Sequence, residues 1–176
     1  MRRSNRYVVA FVAIVAAATF AVSDSSNVSA AALGVLKPCE LLHNADVNAE
    51  FGFRFSNEGD RSAMNGRYCL YSGEAPFRGK RYLETLFFQL VAPRTCQFYV
   101  RGETPVRDFP TTAWSATSPA KNGGNGLFAF KGRGVCALFS ISGPRLTRNC
   151  PCMMTHARIL RHLERLARVV WARLPV

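Results

Sequence analysis

Between residues 156 and 174 apolar side chains recur at spacings of three and four: Ile159, Leu160, Leu163, Leu166, Ala167, Val170, Trp171 and Leu174. At about 100° per residue they fall on one face of a helix, and Arg158, Arg161, Arg165 and Arg168 fall on the opposite one. Thr155 is placed to cap it. So long an apolar stripe is not stable in water. It needs a broad apolar surface to lie on, and the rest of the chain must supply one.

Most of the remaining chain reads as strand. Residues 53–56 alternate apolar and polar, residues 68–71 read as a second strand, and residues 83–91 form the strongest strand of the first half, which Pro93 should stop. Residues 111–117 around Trp114 read as another strand, and residues 127–131 and 135–142 as a hairpin across Gly132-Arg133-Gly134. Residues 57–66 and 73–81, rich in Gly and polar groups, read as loops, and 119–126 as a turn. The stretch 94–109 fits strand and helix equally. Upstream, Pro38 to Leu42 has the form of one helical turn, with Pro at the first helical position. Asn44 could then cap a helix over 45–51 that Gly52 ends, with Leu41, Leu42, Val47 and Phe51 facing the core. Helices at both ends with strands between predict an α+β domain. It is an antiparallel sheet with helices packed on one face, short ones at the N-terminus and the long amphipathic one at the C-terminus.

The start of the chain has a different character. Arg2, Arg3 and Arg6 precede a 16-residue uncharged run, Tyr7 to Val22, and Val28-Ser29-Ala30 follows a polar stretch. This is the pattern of a secretory signal peptide, and the run is short for a bilayer span of about 20 residues. We read residues 1–30 as a cleaved signal, 31–37 as a linker and 38–176 as one domain. We expect a secreted or envelope-located monomer with no membrane span after cleavage. All six cysteines (Cys39, Cys69, Cys96, Cys136, Cys150 and Cys152) lie after that leader. An even count in an exported chain implies a disulfide framework, for which six thiols allow about 15 pairings.

Charge is concentrated toward the end. The whole chain carries 23 Lys and Arg against 11 Asp and Glu. Removing residues 1–30 takes away Arg2, Arg3, Arg6 and Asp24 and leaves a net charge of +10. Residues 131–176 alone hold nine basic groups against Glu164. Such a cluster attracts polyanions. Outside the cytosol these are surface polymers, lipid headgroups or acidic proteins, and nucleic acid is not expected. Arg158, Arg161, Arg165 and Arg168 are the candidate binding residues.

Catalytic signals are lacking. His43, His156 and His162 are the only histidines, no Gly-x-Ser-x-Gly or His-Glu-x-x-His occurs, and the carboxylates are scattered. We therefore expect neither enzymatic activity nor a cofactor. One alternative rests on the segment 150–156, where Cys150, Cys152, Met153 and His156 offer thiolate, thioether and imidazole. These are soft ligands that suit Cu(I). Against it, exported cysteines are generally oxidised, here with partners such as Cys96 or Cys136. A further alternative is an extracellular enzyme without a recognisable motif.

Taken together, Pro38-Cys39-Glu40-Leu41-Leu42, the Asn44-Ala45-Asp46-Val47 helix, Phe51-Gly52, Cys69 after a polar loop and a final helix rich in Leu, Ala and Arg resemble a known group. It comprises small secreted proteins and lipoproteins of actinobacterial type, which have no assigned activity. The resemblance implies an α+β fold and a first disulfide between Cys39 and Cys69. The chain departs from the group in lacking a lipidation box, in carrying four further cysteines, and in placing His43-Asn44 where a Thr cap is usual.

Overall fold

The computed structural model describes residues 35–63, 66–99, 103–118, 124–143 and 154–175. The leader 1–30 and Cys150, Cys152 and Met153 lie outside the described residues. In chain order the elements are α1 (Pro38–Leu41), α2 (Asn44–Phe51), β1 (Phe55–Ala63), β2 (Gly66–Phe77), β3 (Lys80–Val91), a 3-10 turn (Pro93–Thr95) running into α3 (Cys96–Tyr99), β4 (Thr104–Val106), β5 (Thr112–Ser118), β6 (Gly124–Gly132), β7 (Val135–Gly143) and α4 (His156–Arg173). The strands form one sheet of order β1-β2-β3-β7-β6-β5-β4, antiparallel throughout. Two meanders each wind inward from an outer strand, and they meet where β3 pairs with β7.

Alternation along the strands sorts the side chains. Cys69, Tyr71, Leu86, Phe88, Leu90, Phe128, Phe130, Phe139 and Ile141 face one way and are buried. They form the main core with Leu41, Leu42, Val47 and the apolar face of α4. Ile159, Leu163, Leu166, Ala167, Val170 and Leu174 of that face are all buried, each contributing roughly 1.5–3 kcal/mol if a large aliphatic. Gly126 makes room for the helix, because a Cβ there would come within 2.5 Å of Ile159 Cγ2. The α+β arrangement with a long C-terminal helix is therefore present, and α1, α2 and α4 share a single sheet face.

The opposite face is covered only at one end among the described residues. There Val91, Cys96, Ala129, Cys136 and Leu138 form a small second cluster, with Trp114 packed against it. A disulfide fastens α1 to β2 through Cys39 and Cys69, and a second fastens α3 to β7 through Cys96 and Cys136. The bridges close separations of 30 and 40 residues, and each stabilises by about 4 kcal/mol in the chain-entropy account. Cys96 and Cys136 thus pair with each other, which corrects their reading as partners for Cys150 and Cys152.

Local differences from the sequence reading have physical reasons. Residues 57–63 are strand, not loop, because β1 is an edge strand that needs few apolar side chains. A bulge between Asn57 and Asp60 accommodates Gly59 at φ +83°. Residues 73–77 continue β2 rather than forming a loop. Pro76 is tolerated because β1 reaches β2 only as far as Gly73, so the missing N–H breaks no bond to β1. Residues 94–99 are helical, while residues 104–106 form a short edge strand. The cap of α2 is His43, one residue before Asn44, and its backbone N–H donates to Asp46 Oδ2 at 2.8 Å. Thr155 caps α4 as expected, accepting from Arg158 N–H at 3.3 Å.

Both two-residue hairpin turns run Arg-Gly with positive φ. Arg78 and Gly79 join β2 to β3 at +47° and +74°, and Arg133 and Gly134 join β6 to β7 at +48° and +76°. A left-handed arginine is costly. Arg133 offsets the cost by donating to the Trp171 and Leu174 carbonyls at the end of α4 and by lying 4.4 Å over the Trp171 ring. Arg78 has only the Phe77 ring, at 5.4 Å. Asparagine suits this turn better, so Arg78→Asn should raise unfolding free energy by about 0.5–1 kcal/mol in urea titration. Arg133→Asn should lower it despite the same backbone gain, because two helix carbonyls lose their donor.

Candidate functional site

The outward surface of α4 is the basic face that the sequence singles out. Arg158, Arg161, Arg165 and Arg168 are all exposed, but they differ in what they hold. Arg165 donates to Glu50 Oε1 of α2 at 3.2 Å. Arg168 forms a two-nitrogen contact with Glu164, donates to the Asp108 carbonyl at 2.6 Å, and lies 5.2 Å over the Phe109 ring. Arg158 and Arg161 make no side-chain ion pair among the described residues. The stripe is therefore two arginines that fasten the helix and two that remain open to a partner.

Two further contacts hold α2 under α4, and periodicity pointed to the carboxylate partner of neither. Arg173, in the last turn, grips both Asp46 oxygens and donates to the Leu41 carbonyl at 3.0 Å. Burial alone would raise the Asp46 carboxyl. The Arg173 guanidinium and the His43 N–H outweigh that and hold it below the ordinary aspartate range, and Arg173 is raised in turn. His162 Nδ1 lies 2.6 Å from Glu50 Oε1, which places the ring proton on Nδ1. The side chains are only 12% and 14% exposed, and the imidazole packs on Phe51 with centroids 5.1 Å apart. A carboxylate orienting an imidazole is half of a catalytic arrangement, but no Ser or Cys nucleophile is paired with it among the described residues. Its evident work is to join the two helices. The signal in the sequence was His162 at the margin between the polar and apolar faces, and the partner 112 residues away was not legible.

Beneath them Tyr71 is fully buried and donates its hydroxyl to the Leu42 carbonyl, closing the end of α1. Burial pushes its phenol up, with Asp60 and Asp46 adding to the effect. Asp60 itself accepts from the Cys39 N–H at 2.8 Å, which ties the disulfide-bearing turn to β1.

His156 begins α4 and is half-buried, while its expected co-ligands lie outside the described residues. Among the described residues no three His, Cys, Asp or Glu side chains converge as a metal site, and no helix is long and apolar enough to cross a membrane. On the face away from the helices an open cavity of about 370 Å³ is lined by Arg54, Ser56, Ser72, Gly73, Glu74, Arg81 and Leu83. The sequence reading missed it, because Arg54 and Ser56 lay in a segment read as strand, Glu74 and Arg81 in one read as loop, and only the strand register brings them together. No protein-family model, curated protein or solved structure matches the chain.

Two outcomes follow. Because Asp46 is depressed in the fold, its contribution is present above the unfolded value of about 3.9 and lost as pH falls through the folded value. Asp46→Asn should therefore be less stable than the parent at pH 7 and converge with it in acid, read by thermal unfolding across pH. A double-mutant cycle on Glu50→Gln and His162→Ala should return a coupling of about 0.5–3 kcal/mol in denaturant titration. Additive effects would show that the contact is incidental.

Proposed function

We propose that the chain is an exported, non-enzymatic domain that binds an anionic partner outside the cytosol through the outward face of α4. The partner classes are an acidic surface polymer, a lipid headgroup layer or an acidic protein. One observation carries this reading: Arg158 and Arg161 stand exposed near the start of α4 with no ion pair among the described residues, within a chain quarter of nine basic groups. Two neighbouring arginines are already satisfied by Glu50 and Glu164, so the helix is held rigid while its free charges point outward. The apolar face of α4 lies in the core, so binding would be electrostatic and superficial rather than by insertion. The leader pattern and the two disulfides support export.

Basic groups near an anionic surface contribute about 1 kcal/mol each. Reversing Arg158 and Arg161 to Glu should therefore reduce binding to phosphatidylglycerol-containing vesicles, or to an isolated acidic wall-polymer fraction, by at least about tenfold. Raising salt should weaken the parent's binding in the same assay. Unchanged binding by the reversed variant would sink the proposal.

A soft-metal role keeps one supporting observation. With Cys39–Cys69 and Cys96–Cys136 formed, Cys150 and Cys152 have only each other, or an external ligand, within a monomer. Intact mass of the mature chain with and without alkylation separates the cases. Two alkylated thiols at Cys150 and Cys152, or a copper adduct, would favour the metal, and an unalkylated chain would exclude it.

A further inference from the structure

The strand registers leave the β2–β3 hairpin standing beyond the sheet. β1 pairs with β2 only up to Gly73, and β7 pairs with β3 only from Thr85 onward. Residues 74–83 therefore extend past the paired registers of both neighbours, while Ala75 and Glu84 stay buried and Gly143 packs against Glu84. The tip carries Arg78, Lys80 and Arg81 against Glu74. Arg78 stays in a left-handed conformation there without the helix-capping bonds that compensate Arg133. At the base of the hairpin, on the face turned away from α4, lies the 370 Å³ cavity.

Its lining has a definite chemistry. Arg54 is exposed and makes no side-chain pair among the described residues. Arg81 is 77% exposed and paired only with Glu74, at 3.1 Å, itself 56% exposed. Two arginines thus line the same cavity, one unpaired among the described residues and one held by a partner that water already reaches. Ser56 and Ser72 pair across the floor, and Leu83 is 60% exposed on the wall. From the cavity the same sheet face continues through Thr85 and Ser142, which pair across β3 and β7, and then Phe87 and Ser140. Half-buried Tyr68 stacks obliquely on Phe87 with centroids 4.9 Å apart.

We infer that this face binds an acidic glycan, with a sugar carboxylate held between Arg54 and Arg81. Guanidinium matches a carboxylate in a bidentate fork, and Glu74 is freed to accept from a sugar hydroxyl when Arg81 turns to the ligand. The serine and threonine hydroxyls along the face supply further donors and acceptors to a polyhydroxylated chain. The Phe87 and Tyr68 rings give its C–H faces an apolar bed. A lipid headgroup layer would not use a row of hydroxyls on a flat sheet, and a nucleic acid is not the expected partner of an exported chain. The inference shares with the proposed function the premise of an anionic partner outside the cytosol, but uses a different surface.

The test takes the mature, oxidised chain and titrates it by calorimetry with a short oligogalacturonate, a neutral oligosaccharide of the same length and inorganic polyphosphate. Oligogalacturonate should bind, and the neutral sugar should bind at least about tenfold more weakly, the loss expected for a charge-assisted hydrogen bond. Arg54→Gln with Arg81→Gln should lose a similar factor, while Lys37→Gln, which removes a charge from neither surface, should bind the glycan as the parent does. Ser72→Ala alone should weaken oligogalacturonate and leave polyphosphate unchanged. Absence of glycan binding by the parent, equal affinity for polyphosphate, or undiminished binding by the Arg54 and Arg81 variant would each overturn the inference. Vesicle binding through α4 would stand or fall separately.

Discussion

The pairing of β3 with β7 is the seam on which the rest of the molecule depends. It joins two meanders that are otherwise separate in the chain, from Thr85 opposite Ser142 to Val91 opposite Cys136. Leu86, Phe88 and Leu90 meet Ile141, Phe139 and Ala137 across it, and the Phe88 and Phe139 rings stack with centroids 4.7 Å apart. A slip of one residue would turn every one of these groups away from α4. The seam therefore sets which face is the core and which stays largely uncovered among the described residues. At its far end Gln89 and Val91 are buried as well, because the segment bearing Cys96 folds over that part of the opposite face.

Much of the basic character of the chain is spent on internal fastening. Arg173 and Arg165 tie α4 to the carboxylates of α2, Arg168 holds the segment before β5, and Arg133 closes the C-terminal end of α4 from a hairpin turn. Each uses guanidinium geometry on carbonyls or carboxylates rather than mere charge. What remains available is uneven: a pair on the first half of α4, and a second group on the protruding hairpin and at its base. These two surfaces lie on opposite faces of the sheet.

Legibility followed the kind of force involved. The amphipathic helix was readable to within a residue, because a stripe of Ile159, Leu163, Leu166 and Val170 has one stable use. The β6–β7 hairpin was readable from its alternation and its glycines. Strand β1 was readable only at its start, since Asn57 to Ala63 lies at an edge and owes its conformation to backbone pairing with β2 rather than to burial. The extension of β2 through Pro76 was hidden for the related reason that a proline is allowed only where the neighbouring strand has ended. At the site level the four arginines were visible as a set. Their division into bound and free was not, because it depends on Glu50 and Asp108, placed by tertiary contacts far away in the chain. The cavity was invisible because it exists only where β1 stops short.

The central seam also fixes an order of events during synthesis. β1, β2 and β3 are neighbours in sequence and form local hairpins early, whereas β3 must wait for a strand that begins 44 residues after it ends. Such non-local pairing is slow. Until β7 arrives, the half-made sheet presents a long apolar edge and a bare inner face, the surfaces most prone to joining a second chain. Both cysteines of the Cys39–Cys69 bridge precede β7, so the early meander can be crosslinked while the later one is still being made.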